Sequence, residues 1–143
     1  MHKAGFVTIL GNPNVGKSTL MNELVGESIS IINQKAQTTR HKIVGLISED
    51  NFQIVFLDTP GVVIPHHDLH KSMMNTLHRS IEDADIILYV VDCSMQVLKN
   101  KTFFQLINSF KKPIFLIINK IDLVDQSKLT RVVDFWTNKI VKP

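Results

Sequence analysis

An α/β fold, with a mostly parallel sheet, one antiparallel edge strand and helices on both faces, is predicted by three features of this chain. Strand-length apolar runs alternate with segments of helical period. Most of these runs are unbroken rather than alternating, as in strands buried on both faces. Polar, chemically useful residues gather directly after the runs, at the carboxyl edge where such sheets bind ligands.

The elements follow in order. Phe6–Leu10 reads as the first strand and Ser18–Val25 as the first helix. Lys42–Ile47 and Phe52–Leu57 form a hairpin about the polar turn Ser48-Glu49-Asp50-Asn51, which supplies the antiparallel edge. Leu69, Met73, Leu77 and Ile81 recur every four residues, so Leu69–Ala84 is an amphipathic helix. Ile86–Val91 is a strand, and Lys99–Phe110 a helix carrying Phe103, Phe104, Leu106, Ile107 and Phe110. Pro113 introduces the strand Ile114–Ile118, and Ser127–Ile140 is the last helix, with Leu129, Val132, Val133, Trp136 and Ile140. Aromatic and methionine side chains at helical spacing are read as core.

Three clusters sit at the strand ends. After the first strand comes Gly11-Asn12-Pro13-Asn14-Val15-Gly16-Lys17-Ser18, followed by Thr19, in the strand–G-x-x-x-x-G-K-S–helix context of a phosphate-binding loop. Its backbone N–H groups and the helix N-terminus suit a polyphosphate. Lys17 is placed to reach the β- and γ-phosphates, and the Ser18 hydroxyl to bind Mg²⁺. The alternative is a glycine-rich turn without a ligand. After Phe52–Leu57 comes Asp58-Thr59-Pro60-Gly61; Asp58 suits an Mg²⁺ ligand acting through water, and a Gly61 N–H can approach a γ-phosphate. After Ile114–Ile118 comes Asn119-Lys120-Ile121-Asp122. The Asp122 carboxylate matches the two donors of guanine, whereas adenine would leave it unpaired. Asn119 and the Lys120 stem brace that site. In the polar stretch Asn33–Arg40, Thr38 or Thr39 can close over Mg²⁺ and the γ-phosphate, and an ordinary surface loop reads equally well.

Bulk properties bound the rest. At 143 residues the chain is one domain, with 44% hydrophobic and 20% charged residues. A net charge of +3 is a mild bias, not the footprint of a dedicated nucleic-acid binder; the pairs Lys99/Lys101 and Lys111/Lys112 read as solvated surface. A single cysteine, Cys93, excludes an internal disulfide, fits a reducing cytosol and reads as a packed thiol. No signal peptide or membrane-length apolar run is visible, so a soluble cytoplasmic protein is expected. His66, His67 and His70 include an i,i+4 pair, but read as polar surface rather than a metal site.

The three loops resemble the Ras-like GTPase superfamily, a phosphate-loop NTPase fold. GNPNVGKS, the segment Gln37-Thr38-Thr39-Arg40-His41 and Asp58–Gly61 narrow the likeness to the translation-factor-related branch and the Era family of bacterial GTPases, from about Phe6 to the chain end. QTTRH separates Era from the tRNA-modifying and tandem-G-domain GTPases. The resemblance implies a GTP/GDP site with Mg²⁺ on Ser18, Thr39 and Asp58, Thr39 being favoured over Thr38. It also implies slow GTP hydrolysis, a role in 16S rRNA and small ribosomal subunit maturation, loose association with the inner membrane, and a monomer.

Two departures qualify the likeness. Val62 stands where Ras-like enzymes carry a water-positioning glutamine, as it does in the Era branch. The matching asparagine of related GTPases ligates a K⁺ beside the phosphates, so Asn14 is either a catalytic contributor through K⁺ or a residue that shapes the turn. The expected domain, 1–143, is C-terminally incomplete on this reading. A Ser-Ala motif, the last strand and helix, and a KH RNA-binding domain with its GXXG loop are all expected beyond it. A nucleotide-binding fragment with little turnover is the second reading. A phosphotransferase is a third, but it leaves Asn119–Asp122 unexplained.

Overall fold

The computed structural model describes residues 1–12, 14–26, 43–57, 59, 68–94 and 101–140. Among them lie β1 (Lys3–Gly11), α1 (Lys17–Val25), β2 (Ile43–Ser48), β3 (Phe52–Leu57), α2 (Asp68–Asp83), β4 (Ile86–Val91), α3 (Lys101–Ser109), β5 (Ile114–Ile118) and α4 (Gln126–Ile140), with a 3₁₀ turn at Ile121–Leu123. The sheet order is β2-β3-β1-β4-β5. Every pairing is parallel except β2–β3, so the hairpin supplies the antiparallel edge as expected.

Element boundaries shift where pairing or local bonding decides them. β1 begins at Lys3 rather than Phe6 because Lys3, Ala4 and Gly5 pair with Phe52, Gln53 and Ile54. β2 runs to Ser48, paired with Gln53, which leaves Glu49–Asn51 as the turn, closed by Glu49 N–H to the Phe52 carbonyl at 2.9 Å. Ala84 lies outside α2: its N–H bonds the Ile81 carbonyl at 3.3 Å, the tightened last turn of a helix end. Lys99 and Lys42 lie outside the described residues.

The period of two in the central strands builds two cores. On one face Leu10, Ile87, Tyr89 and Val91 pack with Leu77 and Ile81 of α2, Phe103 and Ile107 of α3, and Val132, Trp136 and Ile140 of α4. On the other, Val7, Ile9, Phe56 and Val90 pack with Val15 and with Val25 of α1. Val133, one of the apolar residues of α4, is 40% exposed, because the buried stripe of that helix runs through 132, 136 and 140. Phe115 of β5 is 54% exposed, so that strand is not buried on both faces. β2 comes close to α1 at Gly45, where a Cβ would stand 2.8 Å from Val25 Cγ2.

One buried polar link joins the sheet to α2. The Thr8 hydroxyl donates to the Ser80 carbonyl at 3.0 Å, and the Ser80 hydroxyl to the Thr76 carbonyl at 3.0 Å. Both hydroxyls are thereby satisfied inside the apolar layer.

Candidate functional site

The carboxyl ends of β1, β3, β4 and β5 share one edge of the sheet, because the four strands are parallel. β1 ends at Gly11, and α1 starts at Lys17, so the loop between them has its amides at a helix N-terminus. Asn14 holds φ 63° and Gly16 φ 96°. Asparagine tolerates the left-handed region; at Gly16 a Cβ would also stand 2.3 Å from Asn119 Nδ2, so glycine is required twice over. Leu20 N–H bonds the Gly16 carbonyl at 2.9 Å and closes the first turn of α1.

Lys17 folds its ammonium back over the loop, donating to the Gly11 carbonyl at 3.0 Å and to the Asn12 carbonyl. Burial lowers its pKa from the usual lysine value, since a half-buried ammonium loses solvation. Ser18 and Thr19 are exposed at the helix start, and Val15 is buried in the α1-side core. Ile9, Lys17, Ser18, Met21, Asn22, Val44, Leu57 and Thr59 line a cavity of about 270 Å³ that opens beside the loop. Thr59 is anchored there by its hydroxyl, which donates to the Ile9 carbonyl at 2.7 Å. Pro13, Asp58, Pro60, Gly61 and Val62 lie outside the described residues, as do Thr38 and Thr39 with the rest of the Gln37–His41 segment, and His66 and His67.

The Asn119–Asp122 segment leaves β5 at the same edge. Asn119 N–H bonds the Val91 carbonyl at 2.8 Å, extending the β4–β5 ladder into the loop. Asn119 Nδ2 donates to the Val15 carbonyl at 2.9 Å. Lys120, with φ 58°, sends Nζ to the Asn14 carbonyl at 2.6 Å. Residues more than a hundred positions apart are thus bonded across one site. Asp122 sits exposed in the 3₁₀ turn. Among the residues singled out in the sequence, the structure brings together Gly11, Asn12, Asn14, Val15, Gly16, Lys17 and Ser18 with Thr59, Asn119 and Lys120.

Two further residues border the site, Cys93, read from the sequence only as a packed thiol, and Asp92, not singled out there. Cys93 is buried, as its strand position suggested, and its Sγ faces the carbonyls of Asn119 at 3.6 Å and Lys120 at 3.7 Å. Asp92 directly follows β4, with a carboxylate oxygen 3.9 Å from Lys120 Nζ. Position directly after a buried strand was the available clue for both.

Among the described residues no cluster of three or more His, Cys, Asp or Glu side chains suits a metal ion. No described helix is long and apolar enough to cross a membrane.

Comparison with known proteins points the same way. The family model described as 50S ribosome-binding GTPase matches residues 6–120. The GTPase Era of Alkaliphilus metalliredigens is 46% identical over 132 residues, which is 92% of this chain and 45% of that protein. A crystal structure of Era in complex with MgGDPNP and nucleotides 1506–1542 of 16S ribosomal RNA matches with a TM-score of 0.71 at 37% identity, over 97% of this chain and 48% of that one. An Aquifex aeolicus Era variant bound to GDP·AlF4⁻ matches with a TM-score of 0.69 at 37% identity, over 96% of this chain and 48% of that one. The chain spans about half the length of the curated relatives it matches. With the Gly11–Ser18 and Asn119–Asp122 loops bonded on one sheet edge and the family model covering most of its length, the chain belongs to the 50S ribosome-binding GTPase family, in its Era branch.

Proposed function

We propose that this chain binds GTP and GDP with Mg²⁺ and hydrolyses GTP as a molecular switch. The observation that carries the reading is the pair of hydrogen bonds from Asn119 and Lys120 to the carbonyls of Val15 and Asn14. They set the guanine-reading segment at a fixed distance from the phosphate loop, as one nucleotide spanning both requires. In this reading the amides of Gly11–Thr19 and the Lys17 ammonium hold the phosphates, and Lys17 exchanges its bonds to the loop carbonyls for bonds to phosphate oxygens. Thr59, Pro60, Gly61 and Val62 flank the γ-phosphate. Asp122 reads guanine, with Asn119 and Lys120 bracing it.

Mg²⁺ fits the residues present, because the exposed Ser18 hydroxyl borders the cavity beside Lys17. Ser18, Thr39 and Asp58 would hold it, and it would supply positive charge to the phosphate oxygens. Val62 cannot orient water, so turnover is expected near ~10⁻⁴ s⁻¹, the range of unassisted GTPases. Asn14 contributes either through K⁺ or by shaping the turn. Its left-handed backbone favours the second role, and the rate in K⁺ against Na⁺ decides the first.

The Era solved with 16S ribosomal RNA supports a wider proposal. A longer form of this protein would act in small-subunit maturation, with 16S rRNA held outside residues 1–143 by a KH domain. It would be monomeric and cytoplasmic, with loose inner-membrane association. A second reading of the chain itself is a domain that binds GDP with little turnover, since Val62 cannot orient water.

Phosphate release from GTP and ATP, each in K⁺ and Na⁺, separates these readings. GTP-only release supports the switch, tight GDP binding without release supports the binding module, and equal use of ATP overturns the guanine assignment. Asp122→Asn should weaken GDP by roughly a hundredfold or more and shift preference to xanthosine nucleotides, since a base-reading group is then mispaired. Unchanged GDP affinity would remove Asp122 from the base site.

A further inference from the structure

Lys120 stands between two acceptors. Its Nζ donates to the Asn14 carbonyl at 2.6 Å and lies 3.9 Å from Asp92 Oδ2. The other carboxylate oxygen is held separately: Ser94 N–H donates to Asp92 Oδ1 at 3.0 Å, and the Ser94 hydroxyl donates to the same atom. Ser94 therefore fixes one oxygen of Asp92 and leaves the other facing the ammonium. The mount is stiff, because the preceding residue, Val91, is buried and bonds Asn119 N–H through its carbonyl. Burial pushes the Asp92 carboxyl up, but the Ser94 hydrogen bonds and the Lys120 ammonium outweigh it and hold it below the usual carboxylate range.

A lysine stem has many rotamers, and a single carbonyl is a weak reason to choose one. A carboxylate on a strand end removes much of that freedom. The bond that benefits is the one from the base-reading segment to the phosphate loop. Asp92 is bonded by Ser94 and faces Lys120, and acts through that lysine.

We propose that Asp92 is a positioning residue for the nucleotide: it holds the Lys120 ammonium against the Asn14 carbonyl and so keeps the base-reading and phosphate loops latched at one spacing. This rests on the guanine-nucleotide reading above. Losing the latch lets the loops part, and bound GDP leaves faster.

Stopped-flow release of a fluorescent GDP from the 143-residue chain tests it, with Asp92→Ala, Asp92→Asn, Lys120→Met and the double variants. Asp92→Ala should speed release roughly threefold to fivefold, the reach of a partly exposed ion pair. Asp92→Asn keeps an acceptor for Ser94 and loses only the charge, so it folds like the parent and should show most of the same acceleration. In the Lys120→Met background neither change should add anything, the signature of a shared interaction. Equal acceleration in both backgrounds would mean Asp92 acts through general stability, and no acceleration in either would mean it does not hold the lysine; each overturns the latch. Failure of the parent chain to bind GDP would overturn the nucleotide reading itself, whereas intact binding with unchanged release overturns the latch alone.

Discussion

The two faces of the sheet are built to different standards. One carries α2, α3 and α4 over a core that includes Trp136, Tyr89 and Phe103, each at most 1% exposed. Tyr89 meets Phe103 at 5.9 Å and Trp136 at 6.1 Å between ring centroids, so three aromatic rings interlock under the helices. The other face has α1 over a smaller core of Val, Ile and Phe side chains, and its cover ends short of Phe115. Yet α1 is the helix that begins at the G-x-x-x-x-G-K-S loop. Stability is concentrated on the three-helix face, and the helix that begins at the phosphate loop rests on a lighter packing.

The comparison can be broken by substitution. Trp136→Ala should cost about 3–5 kcal/mol in chemical denaturation, because the helices above it cannot collapse into the space of an indole. A loss under about 1 kcal/mol would show that the three-helix face is not the main store of stability. Gly45→Ala should cost about 1–3 kcal/mol, since its Cβ would press Val25 Cγ2 at 2.8 Å and push α1 off the sheet. It should also weaken GDP binding, as α1 carries Lys17 and Ser18, and a stability loss with unchanged GDP affinity would separate the light face from the site. Phe115→Ser should change stability by no more than about 0.5 kcal/mol, because the ring already meets solvent. A larger loss would mean that this strip of sheet is covered.

Much of this architecture was legible beforehand because its signals are local. Unbroken runs such as Ile86–Val91 admit few alternatives to a buried strand, and both Ile86–Val91 and Ile114–Ile118 fall at the expected residues. The phosphate loop was legible for a similar reason: glycines, lysine and serine at fixed spacing between a strand and a helix express a backbone requirement. What could not be read was which helix covers which face. Val133 illustrates it, an apolar residue of α4 that falls beside the buried stripe rather than in it. The role of Asp92 was not legible because an aspartate after a strand has no particular meaning until the neighbouring loop is placed; Cys93 was legible as a packed thiol, but not as a neighbour of the Asn119 and Lys120 carbonyls.

The order of elements, the parallel sheet with its hairpin edge, and the residue types at three strand ends were determined by the amino-acid sequence alone. They depend on periodicity and backbone conformation, which act over a few residues. Tertiary structure alone decided that Asn119 bonds to Val15, that Lys120 bonds to Asn14 beside Asp92, and that three helices share one face of the sheet. Those contacts join positions far apart in the chain, and only strand order and register bring them within reach of a hydrogen bond or an ion pair.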